Sequence, residues 1–157
     1  MIESFAPVYD ENARVLILGS CPSVKSLEKH EYYGNRQNRF WKIMFKLLDE
    51  PFTENYQEKK AMLLRHGIAL WDVIGSCNRQ GSSDSSITDE VFNDTESLLK
   101  SGKIECVALN GTKAAKSFST TTNVKVKKLP STSPANASKS FDELFEMWKE
   151  ALIEFIK

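Results

Sequence analysis

The segment Arg14-Val-Leu-Ile-Leu-Gly-Ser-Cys-Pro-Ser23 decides the fold of this chain. Its short apolar run is bounded by Gly19, a pattern that predicts a buried strand followed by a turn. Residues 19–23 then form the loop at the carboxyl end of that strand. Such a compact loop can present backbone N–H groups to an anion or a carbonyl, but an ordinary strand-to-helix turn has the same composition.

Helices and strands alternate along the rest of the chain. Three more strands are predicted at 67–71, 104–109 and 124–129. Helices are predicted at 38–48, 57–65, 112–118 and 139–155, and the capping-box pattern Asn93-x-x-Glu96 predicts one more. The glycine- and serine-rich stretch 72–86 is expected to be a loop. The alternation predicts one α/β domain over residues 1–157, with three α/β/α layers around a central four-stranded parallel sheet.

The charges of the chain are unevenly distributed, although 21 basic and 21 acidic residues give no net charge. Residues 14–46 hold seven Lys or Arg against two Asp or Glu, and residues 103–139 hold seven against one. If the fold brings these two segments together, they form a positive face that can bind nucleic acid. The alternative is that the lysines are scattered over a solvated surface.

The composition predicts no metal and no cofactor. The three cysteines, Cys21, Cys77 and Cys106, form no C-x-x-C pair, and the two histidines are far apart in the sequence, which argues against zinc and iron–sulfur sites. No apolar run approaches the roughly 20 residues that cross a bilayer, and the first ten residues lack the pattern of a signal peptide. We therefore expect a cytoplasmic monomer with no membrane partner.

Two loops at the predicted carboxyl edge of the sheet carry candidate binding residues, since ligands of parallel sheets gather at that edge. Tyr32 and Tyr33 lie among arginines, and two adjacent loop tyrosines cannot both be buried. An exposed ring beside cations suits stacking on a base, whereas the alternative is that the rings cover the end of the sheet. In Pro130-Ser-Thr-Ser-Pro-Ala-Asn136, preceded by Lys127 and Lys128, hydroxyl and N–H groups can bind phosphate oxygens, although the segment also fits a plain linker.

Asp72 and Asn38 each have two interpretations. Asp72 directly follows a predicted strand, where a carboxylate either binds a ligand or caps a turn. Asn38 stands where a helix begins, and asparagine is a preferred N-cap residue without any catalytic role. The residue type alone does not decide between the two interpretations of Asp72 or between those of Asn38.

Taken in order, several segments resemble the uracil-DNA glycosylase superfamily, and within it the DNA-deoxyinosine (hypoxanthine-DNA) glycosylase branch. The resemblance is carried by residues 16–23, 32–33, 38–41, 70–74, 110–114 and 129–136, and by Arg79, Gly81, Ser82 and Asp84. It implies the fold of that superfamily and a DNA glycosylase that acts on double-stranded DNA containing a damaged base. The deaminated base, hypoxanthine or uracil, is flipped out of the duplex before it is removed.

The resemblance also implies roles for individual residues. Asn38 matches an asparagine that is the catalytic candidate of the deoxyinosine branch. The residues expected to bind the flipped base are Gly19, Ser20, Tyr32, Tyr33, Asp72 and Asn110. The residues expected to bind DNA are Ser23, Lys113, Lys127, Lys128, Ser131, Thr132, Ser133 and Asn136.

The sequence departs from better-known branches of the family at both motif loops. Ser20 and Cys21 follow Gly19, where many members keep a water-activating Asp, Asn or Glu. Residues 131–133 are Ser-Thr-Ser, where other members keep a histidine, and the four-cysteine cluster of some branches is absent. The missing acidic residue supports an alternative function, a non-catalytic nucleic-acid- or nucleotide-binding α/β domain.

The expected mechanism follows from the chemistry of an amide. Asn38 is not a strong base, but its carbonyl can orient a water molecule and stabilise the positive charge that develops on the sugar. Donors from the first loop and from Asn110 are expected to stabilise the departing base. No lysine in the motifs is an obvious Schiff-base nucleophile, so we expect hydrolysis without strand cleavage.

Overall fold

A computed structural model describes residues 1–81 and 84–156 of the chain. Seven strands and six helices have been located in these residues. In chain order they are β1 (Ile2–Glu3), β2 (Val15–Gly19), α1 (Val24–Lys29), α2 (Phe40–Leu47), α3 (Tyr56–Arg65), β3 (Ile68–Asp72), β4 (Ile74–Asn78), β5 (Thr88–Phe92), α4 (Thr95–Ser101), β6 (Cys106–Asn110), α5 (Thr112–Ser117), β7 (Lys125–Leu129) and α6 (Phe141–Leu152). Short 3₁₀ turns lie at Asp84–Ser86 and Ile153–Phe155.

The central sheet contains the four predicted strands in the order β3-β2-β6-β7. All three pairings are parallel, and Val15 of β2 lies opposite both Ile68 of β3 and Cys106 of β6. The prediction of a four-stranded parallel sheet is therefore confirmed. The carboxyl ends of the strands, at Gly19, Asp72, Asn110 and Leu129, meet at one edge of the sheet.

Helices cover both faces of this sheet. Successive residues of β2 point to opposite sides, so Val15 and Ile17 pack in one core with α2, α3 and α6. Leu16 and Leu18 pack in a second core with α4 and α5. Every residue of β2 is buried, which explains its continuous apolar run and confirms the predicted three-layer architecture.

A second sheet lies where residues 72–86 were expected to form a loop, so that prediction is wrong over β4. Strands β1, β4 and β5 form an antiparallel sheet, with Ile2 opposite Cys77 and Ile74 opposite Phe92. The chain leaves the central sheet at Val73, whose N–H donates to Gly19 O at 2.9 Å. This sheet buries few side chains, so its sequence is largely polar and lacks a strand pattern. Ser82 of the family resemblance lies outside the described residues.

Two helix starts differ from the sequence predictions. The N-cap of α4 is Asp94, which accepts a hydrogen bond from Ser97 N at 3.0 Å, so the predicted capping box of Asn93 and Glu96 is wrong. The loop expected after β2 contains the short helix α1, capped by Ser23, which accepts from Ser26 N at 3.2 Å. Asp94 and Ser23 each accept a hydrogen bond from a backbone N–H of the helix that they precede.

The last helix, α6, packs on the central sheet as its apolar periodicity predicts. Leu144, Phe145, Trp148 and Leu152 are buried on one face. The Trp148 indole N–H donates to Pro130 O at 3.0 Å, so α6 also fixes the start of the loop that follows β7.

The described residues contain neither a membrane-crossing element nor a cluster of metal ligands. None of their helices is long and apolar enough to span a membrane. Within the same residues, no three His, Cys, Asp or Glu side chains come together as ligands would. The thiols of Cys21, Cys77 and Cys106 are not joined by a disulfide.

The capping box of α6 gives a test of the fold. Ser140 Oγ accepts from Glu143 N at 3.2 Å, and the Glu143 side chain accepts from Ser140 N at 3.2 Å. We expect Ser140→Ala to lower the free energy of unfolding by about 1 kcal/mol, the usual cost of an N-cap deletion. Urea unfolding would measure it, with the exposed Ser119→Ala as the matched control. Equal midpoints for the two variants would contradict the proposed contribution of the cap.

Candidate active site

One cavity of about 820 Å³ opens at the carboxyl edge of the central sheet. Its walls come from the loops after β2, β6 and β7, from the segment that precedes α2, and from Arg79 after β4. Ligand sites of proteins are typically clefts of roughly 300 to 1,000 Å³. A cavity at the predicted edge therefore has the size of a small-molecule or nucleoside site.

Most of the residues singled out in the sequence line this cavity. They are Gly19, Ser20, Ser23, Tyr32, Tyr33, Asn38, Asp72, Asn110, Lys113, Ser131, Thr132, Ser133 and Asn136. Lys127 and Lys128 belong to β7 and are not among the lining residues. The fold thus brings residues from four separate loops to one place.

The Asn110 side chain joins two of these loops and the Tyr33 hydroxyl. Its carbonyl oxygen accepts from Thr132 N at 3.0 Å, and its Nδ2 donates to Thr132 Oγ1 at 3.0 Å and to Tyr33 Oη at 3.2 Å. Both amide hydrogens are committed to protein partners. The expectation that Asn110 donates directly to a base is therefore not met in this arrangement.

Thr132 does not have the exposed position that a DNA-binding residue needs. The residue is fully buried, with an exposed fraction of 0%, and both its N–H and its hydroxyl bond to Asn110. The prediction that Thr132 binds DNA is wrong, because the hydroxyl satisfies a buried amide instead.

Tyr33 presents its ring to the cavity from a strained backbone. Its φ is +55°, a left-handed conformation that is uncommon outside glycine. The ring stacks on Phe40 with centroids 4.0 Å apart and an interplanar angle of 20°. Phe40 is buried, so the opposite face of Tyr33 is the one that a ligand can approach.

Gly19 lets Tyr33 and Asp72 approach the end of β2. A Cβ atom at Gly19 would lie 2.8 Å from Asp72 Oδ1 and 3.2 Å from the Tyr33 hydroxyl oxygen. The first separation is too short for any real side chain. Asp72 is itself buried, with 4% exposure. Gly19 is therefore required for this close approach, and it places a carboxylate and a phenol at the floor of the site.

Tyr32 is a core residue, which corrects the expectation that it contacts a base as an exposed ring. Only 4% of it is exposed, and its hydroxyl donates towards Phe5 O at 3.1 Å and Ala6 O at 2.9 Å. Burial, together with the nearby Asp72 carboxylate, raises the pKa of Tyr32. Its ring meets Phe5 edge-on at 5.3 Å, so its face is not offered for stacking.

Asn38 lies two residues before the first residue of α2 and is half-buried. Its Oδ1 accepts a hydrogen bond from Phe40 N at 2.9 Å, so it satisfies the first N–H of the helix, although the N-cap position itself is Arg39 and not Asn38. An amide oxygen has two lone pairs and can accept a second hydrogen bond. The contact with Phe40 therefore leaves Asn38 chemically able to hold a water molecule in the cavity.

The hydroxyl groups of the 131–136 loop, defined as residues 131–136 after β7, mainly support the loop itself. Ser131 Oγ accepts from Ser133 N at 3.1 Å, and Ser133 Oγ accepts from Ala135 N at 3.2 Å. Asn136 Nδ2 donates to Ser131 O at 3.0 Å. These contacts give the loop a fixed shape, and each hydroxyl keeps its own hydrogen for another acceptor.

The predicted basic residues at this edge differ in position. Lys113 forms an ion pair with Glu90 of β5. Lys127 and Lys128 are neighbours in a strand, so they point to opposite faces of the sheet and do not act together. That both lysines bind DNA stays a prediction.

A sequence model of the uracil DNA glycosylase superfamily matches residues 6–155. The chain belongs to the uracil DNA glycosylase superfamily. The match extends over nearly all of the described structure and includes every loop around the cavity.

Relatives support the same assignment. A protein of Methanosarcina acetivorans named hypoxanthine DNA glycosylase is 40% identical over 136 residues, covering 84% of this chain and 86% of that protein. A protein of the same name from Methanosarcina barkeri is 40% identical over 115 residues, covering 71% and 72%. A solution NMR structure of a candidate uracil DNA glycosylase from M. acetivorans has a TM-score of 0.78 and 34% identity, covering 96% and 99%. The predicted family, branch and fold are confirmed.

Arg39 has a role in this glycosylase fold that the sequence did not indicate. It is one of the arginines near Tyr32 and Tyr33, and its Nη1 donates to Lys139 O at 2.9 Å and its Nη2 to Ser133 O at 3.1 Å and Asn136 O at 2.8 Å. Its backbone N–H donates to Thr132 O at 3.0 Å. Arg39, the residue that directly follows Asn38, therefore fixes the 131–136 loop to the start of α2.

Arg79 and two cysteines form a further contact that the sequence did not reveal. Arg79 Nη1 donates to Cys21 Sγ at 3.1 Å and its Nη2 donates to Pro22 O. Cys21 Sγ lies 3.5 Å from Cys77 Sγ. Burial raises the pKa of Cys21, against the opposing effect of Arg79, so the thiol stays protonated at neutral pH. Cys21 shapes the first loop of the glycosylase site as a thiol and not as a nucleophile.

Arg39→Lys tests the attachment of the 131–136 loop. An ammonium cannot replace the three divergent hydrogen bonds of the guanidinium, so we expect DNA affinity to fall about tenfold, the effect of losing roughly 1.4 kcal/mol. Fluorescence anisotropy with a duplex carrying a stable abasic-site analogue would measure it. Arg14→Lys, remote from the cavity and paired with Glu105, is the matched control. Wild-type affinity for Arg39→Lys would rule out the attachment role.

Proposed function

We propose that the protein is a monofunctional DNA glycosylase that hydrolyses the N-glycosidic bond of hypoxanthine in duplex DNA. Uracil is the next most favoured base. The names of the two relatives at 40% identity support the choice of hypoxanthine. The walls of the cavity are held together by hydrogen bonds within the chain, among them those of Asn110 to Thr132 and Tyr33, and we also propose that the protein acts as a monomer.

The observation that carries the proposal is the pairing of Tyr33 and Asn38 across one cavity. Tyr33 backs onto Phe40 and offers a flat ring to a planar ligand, and ring stacking is sequence-tolerant because every base has a π-face. Asn38 precedes the same helix that carries Phe40. A base stacked on Tyr33 would thus place its sugar near the amide of Asn38.

Hydrolysis needs a water molecule on the sugar and a way for the base to leave. Cleavage of the bond between C1′ and the base runs ahead of the attack by water, and the electron pair of that bond leaves with the base. The Asn38 carbonyl stabilises the positive sugar and orients the water whose oxygen bonds to C1′. One proton of that water ends on the departing base, so the products are a free base and an abasic sugar.

The floor of the cavity supplies the groups that stabilise the departing base. The Tyr33 hydroxyl accepts from Asn110, which fixes the ring that stacks on the base. We propose that donors of the first loop, residues 19–23, stabilise the departing base, and that Asn110 acts through Tyr33 in place of the direct contact expected from the sequence. Gly19 and Ser20 border the base from the other side.

The 131–136 loop and Ser23 are proposed to bind the DNA backbone. Ser131, Ser133 and Asn136 lie at the mouth of the cavity in a loop whose shape is fixed by its own hydrogen bonds. A rigid loop loses little entropy when it contacts phosphates. Of the two strand lysines, the more exposed Lys128 is the better candidate for a peripheral phosphate contact.

The decisive experiment is incubation of the protein with duplexes that contain a single inosine or a single uracil. Alkali then cleaves any abasic product. We expect cleavage of the inosine duplex after alkali only, since hydrolysis leaves the strand intact, and slower release of uracil. Failure to release either base would favour a non-catalytic nucleic-acid-binding domain, and strand cleavage without alkali would contradict the monofunctional mechanism.

Substitution of Asn38 separates its capping role from its catalytic role. Asn38→Ala removes both, whereas Asn38→Ser keeps an oxygen that can accept from Phe40 N. We expect single-turnover base release to fall about 10² to 10³-fold in both variants, the usual effect of losing one transition-state contact. Only Asn38→Ala should also lose stability in urea. Full activity in Asn38→Ser would show that Asn38 is a helix cap alone.

A further inference from the structure

A second cavity lies directly beside the candidate active site. It has a volume of about 230 Å³ and shares Tyr33, Asn35 and Asn38 with the larger cavity. Its other walls come from the end of α1, from α2, from α3 and from the segment between α2 and α3. Any group bound there would sit next to the nucleotide held by Tyr33 and Asn38.

Lys59 of α3 lines this second cavity and is buried. Only 7% of the residue is exposed, and its Nζ lies 5.4 Å from the centroid of Trp41 and 5.6 Å from that of Phe52. No carboxylate of the described residues pairs with Lys59, but its Nζ is not sealed away from solvent. The three donors of the ammonium are thus accessible to a ligand in the cavity. The surroundings of Lys59 therefore favour an external anion.

The other charges in the lining support an anionic ligand. Lys29, Arg36 and Lys42 join Lys59, against the carboxylates of Glu31 and Glu54. Arg36 and Glu54 form an exposed ion pair at 3.7 Å, and so largely cancel each other. Burial lowers the pKa of Lys59, while the two carboxylates oppose that effect. The surplus of positive charge around a small polar space fits a phosphate group.

We propose that this cavity binds a backbone phosphate of the DNA strand that carries the flipped nucleotide, with Lys59 as its buried ligand. The inference rests on the proposed glycosylase function, because DNA is what brings a phosphate to Tyr33 and Asn38. Binding would give Lys59 the anionic partner that no carboxylate of the described residues provides. It would also fix the strand on the opposite side of the base from the 131–136 loop.

The salt dependence of DNA affinity tests the role of Lys59. The dissociation constant of an abasic-analogue duplex would be measured from 50 to 300 mM KCl for wild type, Lys59→Met and Lys59→Arg. We expect Lys59→Met to bind about tenfold more weakly and its log–log salt slope to be smaller by about 0.9, the contribution of one phosphate. Lys59→Arg should keep the wild-type slope.

Lys60→Met is the matched control, since Lys60 is the next residue of α3 and its Nζ also lies over a ring, 4.8 Å from the Tyr56 centroid. It should leave affinity and slope unchanged. A melting curve of each variant establishes folding, and Lys59→Gln replaces Lys59→Met if the latter does not fold. An unchanged slope in the neutral Lys59 variant overturns the proposal.

Methylphosphonate duplexes identify the source of the phosphate. Single uncharged linkages are placed at each of the two positions on either side of the abasic analogue. At one position, wild type should lose affinity while Lys59→Met loses none. Additive losses at all four positions would overturn the proposal, as would saturable competition by inorganic phosphate in wild type without any such position. Base release from the inosine duplex is scored separately, so a failure of the glycosylase function is distinguishable from a failure at Lys59.

Discussion

The buried amide of Asn110 is the interaction on which the site depends. It ends β6, yet its three hydrogen bonds reach Thr132 in the 131–136 loop and Tyr33 before α2. These loops are far apart in the sequence and contain few apolar residues, so packing alone would not hold them together. A polar network in a low-dielectric interior stabilises one geometry only if each member is satisfied. The amide meets that condition and sets the distance between the Tyr33 ring and the 131–136 loop.

Arg39 extends this constraint from the stacking ring to the candidate catalytic amide. Its four hydrogen bonds to residues 132–139 attach the start of α2 to the 131–136 loop, to which Asn110 is also bonded. Asn38 is then positioned by its neighbour on one side and by Phe40 N on the other. A weak catalytic group such as an amide depends on placement more than on basicity. The rigid surroundings of Asn38 are what an amide-based mechanism requires.

The sequence predicted β2, β3 and β6 because each is buried on both faces and reads as an apolar run, whereas β7, at the edge of the sheet, was predicted from its alternation of lysine and apolar residues. It failed for β4, where the two buried side chains, Ile74 and Cys77, stand among polar residues, and for β5, which buries none. Two register shifts also interrupt the pairing of these strands. At the site, the lining residues were predictable from the rule that ligands gather at strand ends. The burial of Tyr32 was not, because its hydroxyl is satisfied by Phe5 and Ala6 from a distant segment. The opposite directions of Lys127 and Lys128, in contrast, follow from their predicted strand.

The charges of this chain explain how a protein with no net charge can bind DNA. Several cations of the two basic segments are already used within the protein, since Arg14 pairs with Glu105, Lys113 pairs with Glu90, and Arg39 holds carbonyl groups. The predicted broad positive face is therefore much reduced. Under the proposed function, phosphate binding would fall to neutral donors in the 131–136 loop and to few cations near the cavity. Neutral donors add little to the salt dependence of binding, because only charged groups release counterions. For the same reason, removal of Lys59, the buried cation beside the site, should change the salt dependence of DNA binding the most.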